Sequence, residues 1–361
     1  MLLPISRSAI QRRLLAWFRQ NARLLPWRKN RDPYRIWISE VMLQQTQVAT
    51  VIPYFQRFLK KIPTLAKLAQ ADEQAVLRLW EGLGYYRRAR DLLQAAKRLV
   101  ENNYKTIPDD PEFVRLLPGF GLYTTNAVLS QAYDRRAPIL EANSQRVLCR
   151  LFGIEQNPRA SAVQKILWQH AKMLLPRKSV GEFNQAVMEL GALICTPEKP
   201  RCEACPLNQY CQAKFHNRQA EIPLRTKWAP STTVEEVAIV VRKNGRLLLV
   251  QRPKEGRWAS MWEFPHYPRE PKESVAGTAR RLLTALGMEA DPIGIIATIC
   301  HTVMRIQITM VCLDAKFRRG SLRKGMYPNT AWIPAQKLAD YPLSAPQRRL
   351  ARRLLDTDPA E

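Results

Sequence analysis

Four cysteines fall within seventeen residues, as Cys195-x6-Cys202-x2-Cys205-x5-Cys211, and no other feature restricts the chain so much. Such crowding reads as metal ligation in a reducing compartment and not as a disulfide frame. Four thiolates in one compact loop can wrap a [4Fe-4S] cluster. Zinc is the alternative, since Cys-x-x-Cys suits a tetrahedral ion, but zinc modules more often bring two such halves about a dozen or more residues apart. The iron-sulfur reading is preferred. Lys199, Arg201 and Lys214 rim the loop, whereas Cys149, Cys300 and Cys312 lie among apolar residues and read as core.

The text around this loop is helical. From Ser8 to about Pro223 apolar residues recur at three and four, as in Ala75-Val76-Leu77-Arg78-Leu79-Trp80. Periodicity lapses over 216–233, where polar residues and prolines accumulate, and a linker is expected there. Beyond it Val234 to Val241, Arg246 to Gln251, Ile293 to Thr298 and Met304 to Leu313 read as strands, with a helix across Ser274 to Leu286. A helical domain over 1–215 and an α+β domain over 234–361 are therefore expected, and 361 residues suffice for two cores. Lys and Arg total 57 against 31 Asp and Glu, a formal charge of +26 spread along the chain, which points to a polyanion such as nucleic acid. The first twenty residues mix Arg with apolar positions and hold no unbroken apolar core. Neither a signal peptide nor a membrane span is expected, and the cytoplasm is the expected location.

Two further stretches carry chemistry. Leu116-Leu117-Pro118-Gly119-Phe120-Gly121-Leu122-Tyr123-Thr124 reads as a helix end, a tight turn and a second helix start whose first amides can hold a phosphate. Twenty residues past Gly121 stands Glu141, in the apolar and small run Ala137 to Asn143. Earlier, Glu40 lies beside apolar neighbours in Trp37 to Gln47, where burial would raise its pKa and keep a proton available, as a general acid requires. Two carboxylates in different environments can divide acid and charge-stabilising roles at a glycosidic bond. A solvated helix-turn-helix corner is the plainer reading of the turn, and an N-terminal helix carboxylate that of Glu40.

Together the turn at 117–121, the helix at 37–47, Trp80-Glu81-Gly82-Leu83-Gly84-Tyr85-Tyr86 and the cysteine loop resemble the helix-hairpin-helix DNA glycosylases of the endonuclease III superfamily, the MutY-type adenine DNA glycosylases in particular. The resemblance spans nearly all of residues 10 to 215 and extends more weakly over the second domain. It implies that Glu40 protonates the flipped adenine. Bifunctional members carry a nucleophilic lysine just after the hairpin; Tyr123 stands there, which implies monofunctional hydrolysis. The family's second catalytic residue is an aspartate in Asp-Gly-Asn, and here the text is Glu141-Ala142-Asn143. Asn143 would orient water or the carboxylate. By the same resemblance Gln45 and Tyr85 wedge into the duplex, Thr46 and Leu83 touch the damaged guanine, and Arg23, Trp27 and Arg28 line the adenine pocket. Gly119 and Gly121 would hold backbone phosphate.

Arg257 to Pro265 resembles the start of a Nudix-like, MutT-related module. The Glu-rich metal helix of a Nudix hydrolase has no counterpart in Val275 to Leu283, which disfavours diphosphate hydrolysis. In the family a Phe-Ser-His loop of this module helps recognise 8-oxoguanine; Ile299-Cys300-His301 is the nearest match, and only the histidine is kept. The expectation is thus a multi-domain protein, an all-α glycosylase domain with a [4Fe-4S] loop followed by an α+β Nudix-like domain. It would act as a monomer, away from membranes, on double-stranded DNA holding an adenine mispair. A thymine or uracil mismatch glycosylase, a non-catalytic lesion binder and a nucleotide hydrolase are the alternatives.

Overall fold

The computed structural model describes residues 4, 6–224, 231–323 and 325–357. The chain packs as two compact units, Met1–Gln70 with Asp91–Lys227, and Ala71–Arg90 with Trp228–Glu361.

The first unit is helical, as its 3.6-residue rhythm requires. Its central helix, Pro33–Leu43, starts with Asp32 accepting the amide of Tyr34 and Pro33 in the first turn, where no amide is needed. Tyr34 and every residue from Ile36 to Met42 are buried. A helix apolar on all sides belongs inside a core, so the sequence Ile36-Trp37-Ile38-Ser39-Glu40-Val41-Met42 carries Glu40 inward with it. Three helices build the surroundings of Glu40: Leu122–Tyr133, Ala142–Phe152 and Val180–Leu193. Gly191 lets the last approach the second, since a methyl group there would stand 2.6 Å from the Asn143 Cβ. A second cluster, including Leu148, Leu167, Phe183 and Leu190, is packed by the cysteine loop from outside.

The second unit holds a seven-stranded sheet, β1 (Thr232–Lys243), β2 (Arg246–Gln251), β3 (Trp262–Glu263), β4 (His266–Pro268), β5 (Met288–Val303), β6 (Ile306–Gly320) and β7 (Thr330–Pro334). The order is β3-β2-β1-β6-β5, with β4 on β1 and β7 on β2; β1 and β6 run parallel. Val237, Ile239 and Val241 face helix Val275–Leu286, while Ala238 and Val240 face Leu350, Ala351 and Leu354 of helix Ala345–Thr357. Burial on both faces explains why β1 reads as an unbroken apolar run.

The expected α+β layout is present, with four differences. Segment 71–90, whose helix Glu73–Trp80 shows the same period as its neighbours, belongs to the second unit. There Glu81 accepts from Arg348 at 2.6 and 3.0 Å, and Gln74 accepts from Trp262 Nε1 at 3.0 Å. Met304 is a left-handed turn residue (φ 55) between β5 and β6, not the start of a strand, and β7 and the last helix have no counterpart among the expected elements. Of the expected linker 216–233, residues 225–230 lie outside the described residues, and β1 begins within it at Thr232.

Candidate active site

One cavity of about 740 Å³ in the first unit gathers most of the expected site residues. Its lining includes Glu40, Tyr123, Glu141 and Asn143, together with Arg23, Trp27 and Arg28. Gln45, Thr46, Gly119 and Gly121 also line it. Trp27 is buried and meets Phe55 edge-on at 5.4 Å, so it packs as well as lines.

Glu40 is 4% exposed, and both of its oxygens are occupied. Tyr123 donates its hydroxyl to Oε2 at 2.7 Å, and Gln131 donates Nε2 to Oε1 at 2.7 Å. Burial pushes the Glu40 carboxyl above its ordinary range; the two donors pull the other way, the nearby Glu141 adds to the rise, and Arg28 opposes it. Desolvation dominates, as the composition of its helix demands.

Glu141 is the N-cap of helix Ala142–Phe152 in a capping box. Its oxygens accept from the amides of Ser144 at 2.7 Å and Asn143 at 2.8 Å, while the Ser144 hydroxyl accepts from the Glu141 amide at 2.7 Å. Asn143 Nδ2 also donates to Glu141, at 3.2 Å. That orientation of the amide is set by Arg146, which donates to Asn143 Oδ1 at 2.8 Å and to the Gly191 carbonyl at 2.7 Å. Burial raises the Glu141 carboxyl as well, against these amides and Arg146.

Glu189 has no place in the sequence reading, yet it decides the state of two residues that do. Only 1% exposed at its side chain, it accepts from the Arg23 amide, Nε and Nη2 at 2.8 to 2.9 Å and from Arg28 Nη2 at 3.0 Å. Those donors hold its carboxyl at about 2, overcoming the opposite effect of burial. The arginines therefore line the cavity as half of a fixed ionic cluster, with Arg28 also over the Phe18 ring at 5.3 Å.

At the hairpin Gly119 takes φ +76, and Gly121 caps helix Leu122–Tyr133 without any side-chain acceptor for its first amides. Those orphan donors fit a phosphate. Gln45 (φ 57) and Tyr85 (φ 48) both hold the left-handed backbone that side-chain-bearing residues rarely adopt. Leu83 and Tyr85 do not line the cavity; they stand in segment 71–90. His301 lies on β5 in the second unit, its ring 5.7 Å from that of Trp258, and burial lowers its pKa so that the neutral ring dominates near pH 7.

Cys195, Cys202, Cys205 and Cys211 line one small void together. Among the described residues no three His, Cys, Asp or Glu side chains converge as ligands of one ion. Four thiols lining one void are the donor set that an iron-sulfur cluster takes. Arg150, 2% exposed, pins the loop by donating to the carbonyls of Ile222, Thr196 and Pro197 at 2.7 to 3.0 Å and to Cys195 Sγ at 3.4 Å. Cys149 and Cys312 are buried as expected, but Cys300 is exposed, because its side chain points from an edge strand to solvent.

Residues 38–173 match the model of the HhH-GPD superfamily of base excision DNA repair proteins, and residues 236–353 match the NUDIX domain. The chain is 34% identical to the adenine DNA glycosylase of Rattus norvegicus, over 96% of this chain and 78% of that protein. To the enzyme of the same name from Homo sapiens it is 32% identical, over 96% and 74%. Among solved structures a thermostable thymine-DNA glycosylase aligns with TM-score 0.53 and 28% identity, over 58% of this chain and 97% of that one. An endonuclease III–DNA complex aligns with TM-score 0.50 at 21% identity, over 59% and 98%, which speaks to the fold alone.

Proposed function

This chain belongs to the adenine DNA glycosylases of the HhH-GPD superfamily, and from that premise we propose that it hydrolyses the N-glycosidic bond of adenine mispaired with 8-oxoguanine in duplex DNA. The observation that carries this reading is the buried Glu40, held by Tyr123 and Gln131 in one cavity with Glu141.

Glu40 passes its proton to the adenine as the C–N bond breaks. Glu141 faces the cationic sugar, and water then gives its oxygen to the anomeric carbon and its proton back to Glu40. Tyr123 offers no amine for a Schiff base, in keeping with monofunctional hydrolysis. Its hydroxyl has a second acceptor, Met188 Sδ at 3.6 Å, to which it turns while Glu40 is protonated. Gln45 and Tyr85 enter the duplex, and Arg23, Trp27, Arg28 and Glu189 receive the base. His301 and Trp258 read the opposite base, and the charge of +26 gives affinity that falls with salt.

The test is single-turnover base release from duplexes holding adenine opposite 8-oxoguanine or opposite guanine. Faster release opposite 8-oxoguanine is expected, with the advantage narrowed by His301→Ala. Equal rates would sink the lesion preference. Release of thymine or uracil in place of adenine would transfer the chain's activity to the mismatch class.

Cys195, Cys202, Cys205 and Cys211 would hold a [4Fe-4S] cluster, which supplies order to its loop; Lys199, Arg201 and Lys214 beside it would meet phosphate. Arg150→Leu removes three hydrogen bonds to that loop and one to Ile222, and should lower the iron and sulfide recovered per purified chain. Wild-type iron content in this variant would show that the thiols need no such brace.

A further inference from the structure

β5 is sixteen residues long and stands at the end of the sheet, with a strand neighbour on one side only among the described residues. Its middle is apolar and open: Ile293 is 65% exposed and Ile295 64%. A long edge presents outward amides and carbonyls to an extended chain, and folded proteins usually blunt it with charge, proline or bulges. In β5 Pro292 and the register shifts come no later than Ala297, and from Ala297 to Val303 the strand is regular. Here the charge lies beside the strand. Arg349, Arg352, Arg353 and a single carboxylate, Asp356, of helix Ala345–Thr357 form with Ile296 to Cys300 the walls of a groove of about 500 Å³, a net basic lining. All three arginines are exposed, and Arg349 donates to the Cys300 carbonyl at 2.9 Å, so the basic wall reaches the strand itself.

We propose that this groove and the free edge of β5 take an extended acidic peptide of a partner protein, which pairs with the strand, packs apolar side chains on Ile293 and Ile295, and sets its carboxylates against the arginines. Duplex DNA would use the arginines, but it has no backbone amides to pair with a strand and gains nothing from exposed isoleucines. Strand addition uses both. The proposal is independent of the base-release reaction, since none of these residues lines the cavity around Glu40.

The probe is a fluorescein-labelled peptide of alternating valine and glutamate, titrated with the full chain and followed by anisotropy. Saturable binding is expected. Arg352→Glu/Arg353→Glu and, separately, Ile295→Asn should each weaken it about tenfold or more, and adenine release should keep its wild-type rate in both. N-methylation of alternate peptide amides on the pairing side should abolish binding. No saturable binding, equal binding of the N-methylated peptide, or equal binding of a valine-lysine peptide would each overturn the proposal. So would a loss of affinity for undamaged duplex as large as that for the peptide in the Arg352→Glu/Arg353→Glu protein, which would make the arginine row a DNA surface.

Discussion

Glutamine in place of Glu40 is expected to slow single-turnover adenine release by about 10²–10⁴-fold, the contribution of a positioned general acid, without lowering the melting temperature at a pH above the native carboxyl's pKa. The two effects separate because the native carboxyl has a raised pKa, with burial as the main cause. A group whose pKa is higher folded than unfolded contributes stability that is complete below the unfolded pKa and is lost as pH rises through the folded one. Above that folded pKa, wild-type protein bears an ionised carboxylate in an apolar helix; glutamine removes that cost, and its one oxygen still accepts from Gln131 while its amide N–H donates to the Tyr123 hydroxyl, reversing that bond. Release by the wild type should fall as pH rises through the elevated Glu40 pKa. The residual rate of the variant should be flat over that range. A Glu40→Gln protein that releases adenine at the wild-type rate would take Glu40 out of the chemistry.

Glu40 could be found in the sequence because a charge in the middle of Trp37-Ile38-Ser39-Glu40-Val41-Met42 has no exposed face to occupy. The cysteine loop was legible from spacing alone. Glu189 was not, although it pairs with both Arg23 and Arg28. It sits in Val180–Leu193, a helix that reads as ordinary core, and its partners lie more than 160 residues earlier. Arg150 hid in the same way, as one of two arginines on an amphipathic helix, and only tertiary structure shows its three bonds to the loop and one to Ile222. Segment 71–90 shows the limit of periodicity: it states that a helix buries one face and is silent about which core receives it. The edge strand escaped for the opposite reason. Strand β5 was read only from Ile293, since Met288 to Pro292 mixes apolar, acidic and proline residues, and bulges between Glu289 and Ala297 break the two-residue alternation that marks a strand.

The second large effect is expected at Glu141, where the family aspartate is replaced by a longer carboxylate. A longer side chain would ordinarily misplace its charge by roughly an ångström, enough to cost about a hundredfold at a catalytic site. The capping box answers this, because both oxygens are tied to the first amides of helix Ala142–Phe152 and Asn143, itself fixed by Arg146, adds a third donor. The carboxylate is thus preorganised, and the positive end of the helix supports its charge. Glu141→Gln keeps one capping acceptor and loses the charge that faces the sugar cation. It should slow release by about 10²–10³-fold while costing about 1 kcal/mol or less of stability, the usual scale of a weakened N-cap. Glu141→Asp keeps charge and cap but draws the carboxylate back, and its rate should fall between the other two. Because the same hydrogen bonds serve fold and chemistry, the order wild type, Asp, Gln must appear in single-turnover rates without a parallel order in melting temperature. A silent wild type that gains adenine release only as Glu141→Asp would mean that this chain binds the lesion without removing the base.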